Sequence, residues 1–126
     1  MHRLFYDIPS KKMPTIINIE TSTDVCSVAL TSEGAILEHF EAFDGRNHAT
    51  LLSGFIKGCL DHLRRHEMRL DAVGVSLGPG SYTGLRIGLS EAKGLAYALD
   101  VPLIGVETLK IMDVSVMFSQ HEIDEN

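Results

Sequence analysis

The stretch Ala72-Val73-Gly74-Val75-Ser76-Leu77-Gly78-Pro79-Gly80-Ser81-Tyr82-Thr83-Gly84-Leu85-Arg86-Ile87-Gly88-Leu89 decides the architecture, because its periodicity changes partway along. Ala72 to Leu77 is largely apolar and too short for a helix, the pattern of a buried strand that pairs in parallel within a sheet. Gly78-Pro79-Gly80 breaks that run, and a helical repeat then extends from about Tyr82 to Leu99. Asp100 and Pro102 bound the helix, and Pro102 to Val106 reads as another strand.

Towards the N-terminus, Leu51, Leu52, Phe55, Ile56, Cys59, Leu60 and Leu63 recur at helical spacing, with Lys57, Asp61, Arg64 and Arg65 largely on the other side. This predicts an amphipathic helix from His48 to near Glu67. Before it, Thr15 to Thr21 and Val25 to Thr31 are β-rich runs joined by the polar Ser22, Thr23 and Asp24, which predicts a hairpin. Glu33-Gly34 supplies a turn into a third strand, Ala35 to about Phe43, where Ile36, Glu38 and Phe40 share one face. The element order is βββαβαβ, an α/β fold with a meander leading into parallel strands. Leu109 to Met117 reads as a last helix. Residues 1–13 read as a leader-like segment with Met13 as an alternative start, residues 14–117 as one domain, and residues 118–126 as a frayed polar tail.

Composition narrows the function classes. Hydrophobic residues make up 44% and charged residues 22%, so the chain is globular rather than disordered. Eleven Lys plus Arg against 17 Asp plus Glu give a net charge of -6, which opposes non-specific attraction to phosphate backbones. Cys26 and Cys59 form neither a C-x-x-C motif nor a disulfide framework, the usage of a reducing cytoplasm. No apolar run approaches the roughly 20 residues of a membrane helix.

Three groups of residues could carry function. The loop from Gly78 to Arg86 meets a helix start, where free N–H groups, Ser81 or Thr83 as caps, and close approach at Gly80 and Gly84 suit an anion. It is not a P-loop, since Leu85-Arg86 stands where Lys-Ser or Lys-Thr is required. Within the following helix, Gly84, Gly88, Ala92 and Ala96 draw a stripe nearly free of side chain. It suits either packing inside the same lobe or a docking face for a partner helix. His62 and His66 lie four positions apart, as a zinc pair would. Arg64, Arg65 and Arg69 beside them, and the lack of an H-E-x-x-H pattern or an evident third ligand, lead us to expect no metal site. No nucleophilic triad is evident, and no catalytic residue is expected.

The runs Ile17 to Leu30, Arg46-Asn47-His48-Ala49-Thr50-Leu51-Leu52 and Gly78 to Gly88, in this order, resemble the bacterial TsaB (YeaZ) family, paralogous to TsaD within the actin, sugar-kinase and Hsp70-like group. The resemblance spans about Pro14 to Met117. It implies an RNase H-like lobe with a mixed five-stranded sheet and flanking helices. It also implies a non-catalytic subunit of threonylcarbamoyladenosine synthesis in tRNA, beside the anticodon of tRNAs that read ANN codons.

Partners implied by the resemblance are TsaD, TsaE in the assembled complex, or a second copy in a homodimer, with tRNA met only indirectly and no membrane. Leu52, Phe55, Ile56, Leu85, Gly88, Leu89, Ala92 and Ala96 are the expected partner interface. Thr21, Ser22, Asp24, Gly80, Ser81, Thr83 and Gly84 are the expected nucleotide or anion contacts. No resident cofactor is expected, and a weak ATP or ADP contact arises only in the full complex, because nucleotide in this superfamily binds between lobes and the C-terminal lobe is expected to be absent here. Where TsaD carries a metal-binding H-x-x-x-H, this sequence has Thr108 and Met112, so metal-assisted chemistry is not expected. The alternative is the nucleotide-binding lobe of a sugar-kinase or ATPase-like enzyme. Glu20 stands against it, where such enzymes carry a phosphate-loop aspartate.

Overall fold

The computed structural model describes residues 14–21, 25–43, 48–78 and 82–107. Strand β1 (Ile16–Glu20) pairs antiparallel with β2 (Cys26–Ser32), which pairs antiparallel with β3 (Ala35–Ala42). Helix α1 (His48–Arg65) leads to β4 (Ala72–Gly78), helix α2 (Tyr82–Leu99) and β5 (Leu103–Glu107). The sheet order is β3-β2-β1-β4-β5, with β4 parallel to both β1 and β5. The expected βββαβαβ order and mixed five-stranded sheet are therefore both present. The expected leader, the helix Leu109 to Met117 and the tail lie outside the described residues.

The meander follows from local chemistry. Glu33 and Gly34 both have positive φ, 53° and 79°, the two-residue hairpin geometry whose twist matches the flanking strands. A register shift between Leu30 and Thr31 then sets Glu38 opposite Leu30 and Phe40 opposite Val28. Glu38 and Phe40 thus share the face of Leu30 and Val28, which is the helix-covered one.

Both helices lie on that face and touch each other, α1 over β2 and β3, α2 over β4 and β1. The core between the layers is built from Ile17, Ile19, Val28, Leu30, Val73 and Val75 of the sheet, with Leu52, Ile56, Cys59 and Leu63 from α1 and Ala92 and Ala96 from α2. Each large aliphatic buried here contributes about 1.5–3 kcal/mol before entropy is subtracted. β4 is buried from Ala72 to Ser76 as expected, but Leu77 is 49% exposed, where the strand runs out beyond its cover.

The helices end alike. After α1, Glu67 takes φ 53°, its N–H bonds to the Arg64 carbonyl at 3.2 Å, and the Met68 N–H returns to the Leu63 carbonyl at 2.8 Å. After α2, Asp100 takes φ 54°, its N–H bonds to the Tyr97 carbonyl at 3.2 Å, and the Val101 N–H reaches the Ala96 carbonyl at 3.0 Å. Both are Schellman caps made without glycine. Helix α1 consequently stops at Arg65, two residues before its expected end.

Candidate functional site

The carboxyl end of β1 meets the first turn of α2. Thr21 is fully buried, and its hydroxyl donates to the Gly84 carbonyl at 2.6 Å. One turn further along, Gly88 sits directly against the Thr21 side chain, in space that any β-carbon would contest with the Thr21 hydroxyl. The strand end is thus fastened to the helix by a hydrogen bond and by an approach only glycine permits. This corrects the expectation of Thr21 and Gly84 as nucleotide contacts: the hydroxyl is spent inside the fold and Gly84 is buried. Ser22, Asp24, Gly80 and Ser81, and the side chain of Thr83, lie outside the described residues.

The same geometry corrects most of the expected partner interface. Leu52, Ala92 and Ala96 have no exposure, Ile56 is 6% exposed and Gly88 is buried, so these residues face the protein's own sheet. The small-residue stripe is intramolecular packing. At Gly88 the sheet side requires it, because the Thr21 side chain already fills the space that α2 approaches. Phe55 is half-buried and stacks on Phe40, with ring centroids 5.5 Å apart. Leu85 and Leu89 are half-buried and line, with Ser76, Leu77 and Arg86, a mainly apolar recess of about 260 Å³. Of the eight expected interface residues, these three are half-buried and the other five are buried.

The outward faces carry a different signal. Gly54 on α1 and Gly94 on α2 are exposed, and a β-carbon at either would meet no atom within 4 Å. Among the described residues nothing compensates these two mid-helix glycines, which cost about 1 kcal/mol each relative to alanine. Gly94 is out of phase with Gly84, Gly88, Ala92 and Ala96, and that phase difference is the sequence signal that could have separated it from the buried stripe. Between the helices, Ala49, Arg86, Ile87, Ser90 and Glu91 border a groove of about 280 Å³.

Both cysteines are buried and free; burial pushes the Cys26 thiol up to about 11, and burial followed by the nearby Glu38 charge pushes Cys59 up to about 12. Neither is a thiolate at neutral pH. His62 and His66 lie together with ring centroids 4.3 Å apart, and Glu38, which the sequence analysis did not consider for this site, holds His62 Nδ1 at 2.8 Å. The expected single face for Ile36, Glu38 and Phe40 holds for Glu38 and Phe40 alone: the register shift at Leu30/Thr31 pairs Ile36 with Thr31 on the opposite face, where it is 43% exposed. Asp61 accepts hydrogen bonds from Lys57 at 3.2 Å and Arg64 at 2.9 Å, which hold its carboxyl below the usual range. No described helix is long and apolar enough to cross a membrane.

Residues 40–125 match the profile of the family described as TsaD: tRNA N6-adenosine threonylcarbamoyltransferase. The chain is similar to the tRNA threonylcarbamoyladenosine biosynthesis protein TsaB of Escherichia coli (strain K12), 38% identical over 97 residues that cover 77% of this chain and 42% of that protein. The protein of the same name from Bacillus subtilis (strain 168) is 33% identical over 98 residues, covering 78% of this chain and 43% of that one. Among solved structures, YeaZ from Pseudomonas aeruginosa has a TM-score of 0.70 at 34% identity, over 86% of this chain and 50% of that chain. The chain thus spans less than half the length of these curated relatives. With this match, these relatives and the shared sheet, the chain belongs to the TsaD-type family of threonylcarbamoyladenosine biosynthesis proteins, on its TsaB (YeaZ) side.

Proposed function

We propose that this lobe is a non-catalytic scaffold, one half of a two-lobed subunit that pairs with a TsaD transferase in threonylcarbamoyladenosine modification of tRNA. The observation that carries the pairing is the exposure of Gly54 and Gly94, which lets a partner helix approach the α1 and α2 backbones closely. The non-catalytic reading is supported by a Thr21 hydroxyl committed to Gly84 and by two thiols held protonated. The nucleotide-enzyme alternative loses the Thr21 hydroxyl as a phosphate contact, because that group is committed to Gly84.

On this reading the protein works in the cytoplasm and TsaE joins the assembled complex, the only setting in which this lobe touches ATP or ADP. Phosphate contacts to tRNA fall to the partners, consistent with the net charge of -6. In the absence of TsaD, the same outer faces support a homodimer.

The test is co-elution with the cognate TsaD on size-exclusion chromatography. Gly94→Leu should leave the circular dichroism spectrum unchanged, since open space surrounds that position, and should abolish the heterodimer by overfilling the contact. Retained binding by both Gly94→Leu and Gly54→Leu would place the interface elsewhere.

A further inference from the structure

The end of α1 farthest from the Thr21–Gly84 contact carries a cluster that the proposed pairing does not use. His62 and His66 stand one helical turn apart, with ring centroids 4.3 Å apart and planes 39° apart. Glu38 Oε2 lies 2.8 Å from His62 Nδ1. Both imidazoles line a recess of about 470 Å³ together with Ser32, Glu33, Leu37 and Met68, beside the β2–β3 turn.

A carboxylate on Nδ1 is the arrangement that stands behind metal-ligating histidines. It holds the proton on Nδ1, fixes the ring and leaves the Nε2 lone pair free to coordinate. Two imidazoles at i and i+4 lie on one helix face, as a shared cation requires. The expectation of no metal site rests on the neighbouring arginines, on the lack of an H-E-x-x-H pattern and on the lack of an evident third ligand. In the structure Arg64 donates to Asp61 at 2.9 Å and Arg65 lies 3.9 Å from Glu38, so two of the three guanidinium charges are offset by carboxylates, and Arg69 is exposed to solvent.

We propose that His62 and His66 chelate a borderline divalent cation such as Zn²⁺ or Cu²⁺ through Nε2, with Glu38 as the positioning residue of His62. Water completes the coordination, since among the described residues no set of three His, Cys, Asp or Glu is assembled around a cation site. Imidazole favours Cu²⁺ over Zn²⁺ and gives Mg²⁺ or Ca²⁺ little purchase. A bound cation ties two turns of α1 together and, through Glu38, to the edge strand β3.

The experiment uses the untagged chain in a non-chelating buffer, titrated with Zn²⁺ by calorimetry and with Cu²⁺ by electron paramagnetic resonance. One cation per chain should bind, with nitrogen hyperfine structure from two imidazoles. In His66→Ala, at an exposed position that the fold does not need, saturable Zn²⁺ binding should disappear and the Cu²⁺ signal should retain one nitrogen. Glu38→Gln should weaken Zn²⁺ about tenfold. His39→Ala, on the other face of β3, should change nothing. Absence of saturable binding by the unaltered chain, or equal binding by His66→Ala, overturns the proposal.

Discussion

Helices α1 and α2 have 18 residues each, cover the same sheet face and finish in the same cap, yet they reach the sheet in opposite ways. Helix α1 mainly extends long side chains, Leu52, Ile56 and Leu63, towards β2 and β3, and gives way at Gly58, where the Phe40 ring of β3 lies against it. Helix α2 brings its backbone down instead, with Gly88 against Thr21 and Ala92 and Ala96 behind it. Small side chains in a helix are therefore no sign of a free surface: they can mark the place where the backbone comes closest to its own sheet. The outward glycines, where nothing among the described residues claims the space, are the ones on which the proposed pairing rests.

The contrast breaks most sharply if each helix is given the other's chemistry. Leu52→Ala removes a fully buried side chain from α1 and should cost about 3 kcal/mol. Ala92→Leu adds volume to α2 where none is free and should cost about 2 kcal/mol. Urea unfolding midpoints measure both; a neutral Ala92→Leu would show that α2 does not pack as closely as described.

A finer contrast sets two glycines of one helix against each other. Gly88→Ala must displace Thr21 and strain its bond to Gly84, so it should destabilise by about 1–2 kcal/mol despite alanine's better helix propensity. Gly94→Ala meets nothing and should stabilise by about 1 kcal/mol. Opposite signs in the same unfolding assay sharpen the distinction between inner and outer glycines, and equal signs erase it.

The smallest effect is in alkaline solution. The Cys59 thiol ionises near 12 in the fold but near its ordinary value of about 9 when unfolded, so its contribution is fully present below pH 9. It is lost progressively as the pH rises from there towards 12. Thermal melting between about pH 8 and pH 10.5 should fall less steeply in Cys59→Ala than in the unaltered chain.

Much of this architecture was legible in the sequence. The change of period at His48, the Glu33-Gly34 turn and the short apolar run at Ala72 each record a local requirement that no distant contact overrides. Helix ends were less legible: Glu67 adopts left-handed geometry, and a glutamate does not announce it as a glycine would. The direction of the Gly84 to Ala96 stripe was not legible, because spacing places residues on one side of a helix without saying what lies opposite. The role of Thr21 was hidden for the same reason, since its partner is Gly84, 63 positions away. The pairing of Glu38 with His62 depends on the β3 register relative to α1, and sequence supplies only half of that, the alternation within β3.

The span of the Thr21–Gly84 bond bears on the order in which the chain assembles. A contact that closes so long a loop carries a large entropic cost until the intervening meander, α1 and β4 are already in place. The junction of β1 with α2 therefore gains most from elements that are already assembled, whereas the β1–β2–β3 meander is made of near neighbours and closes only short loops.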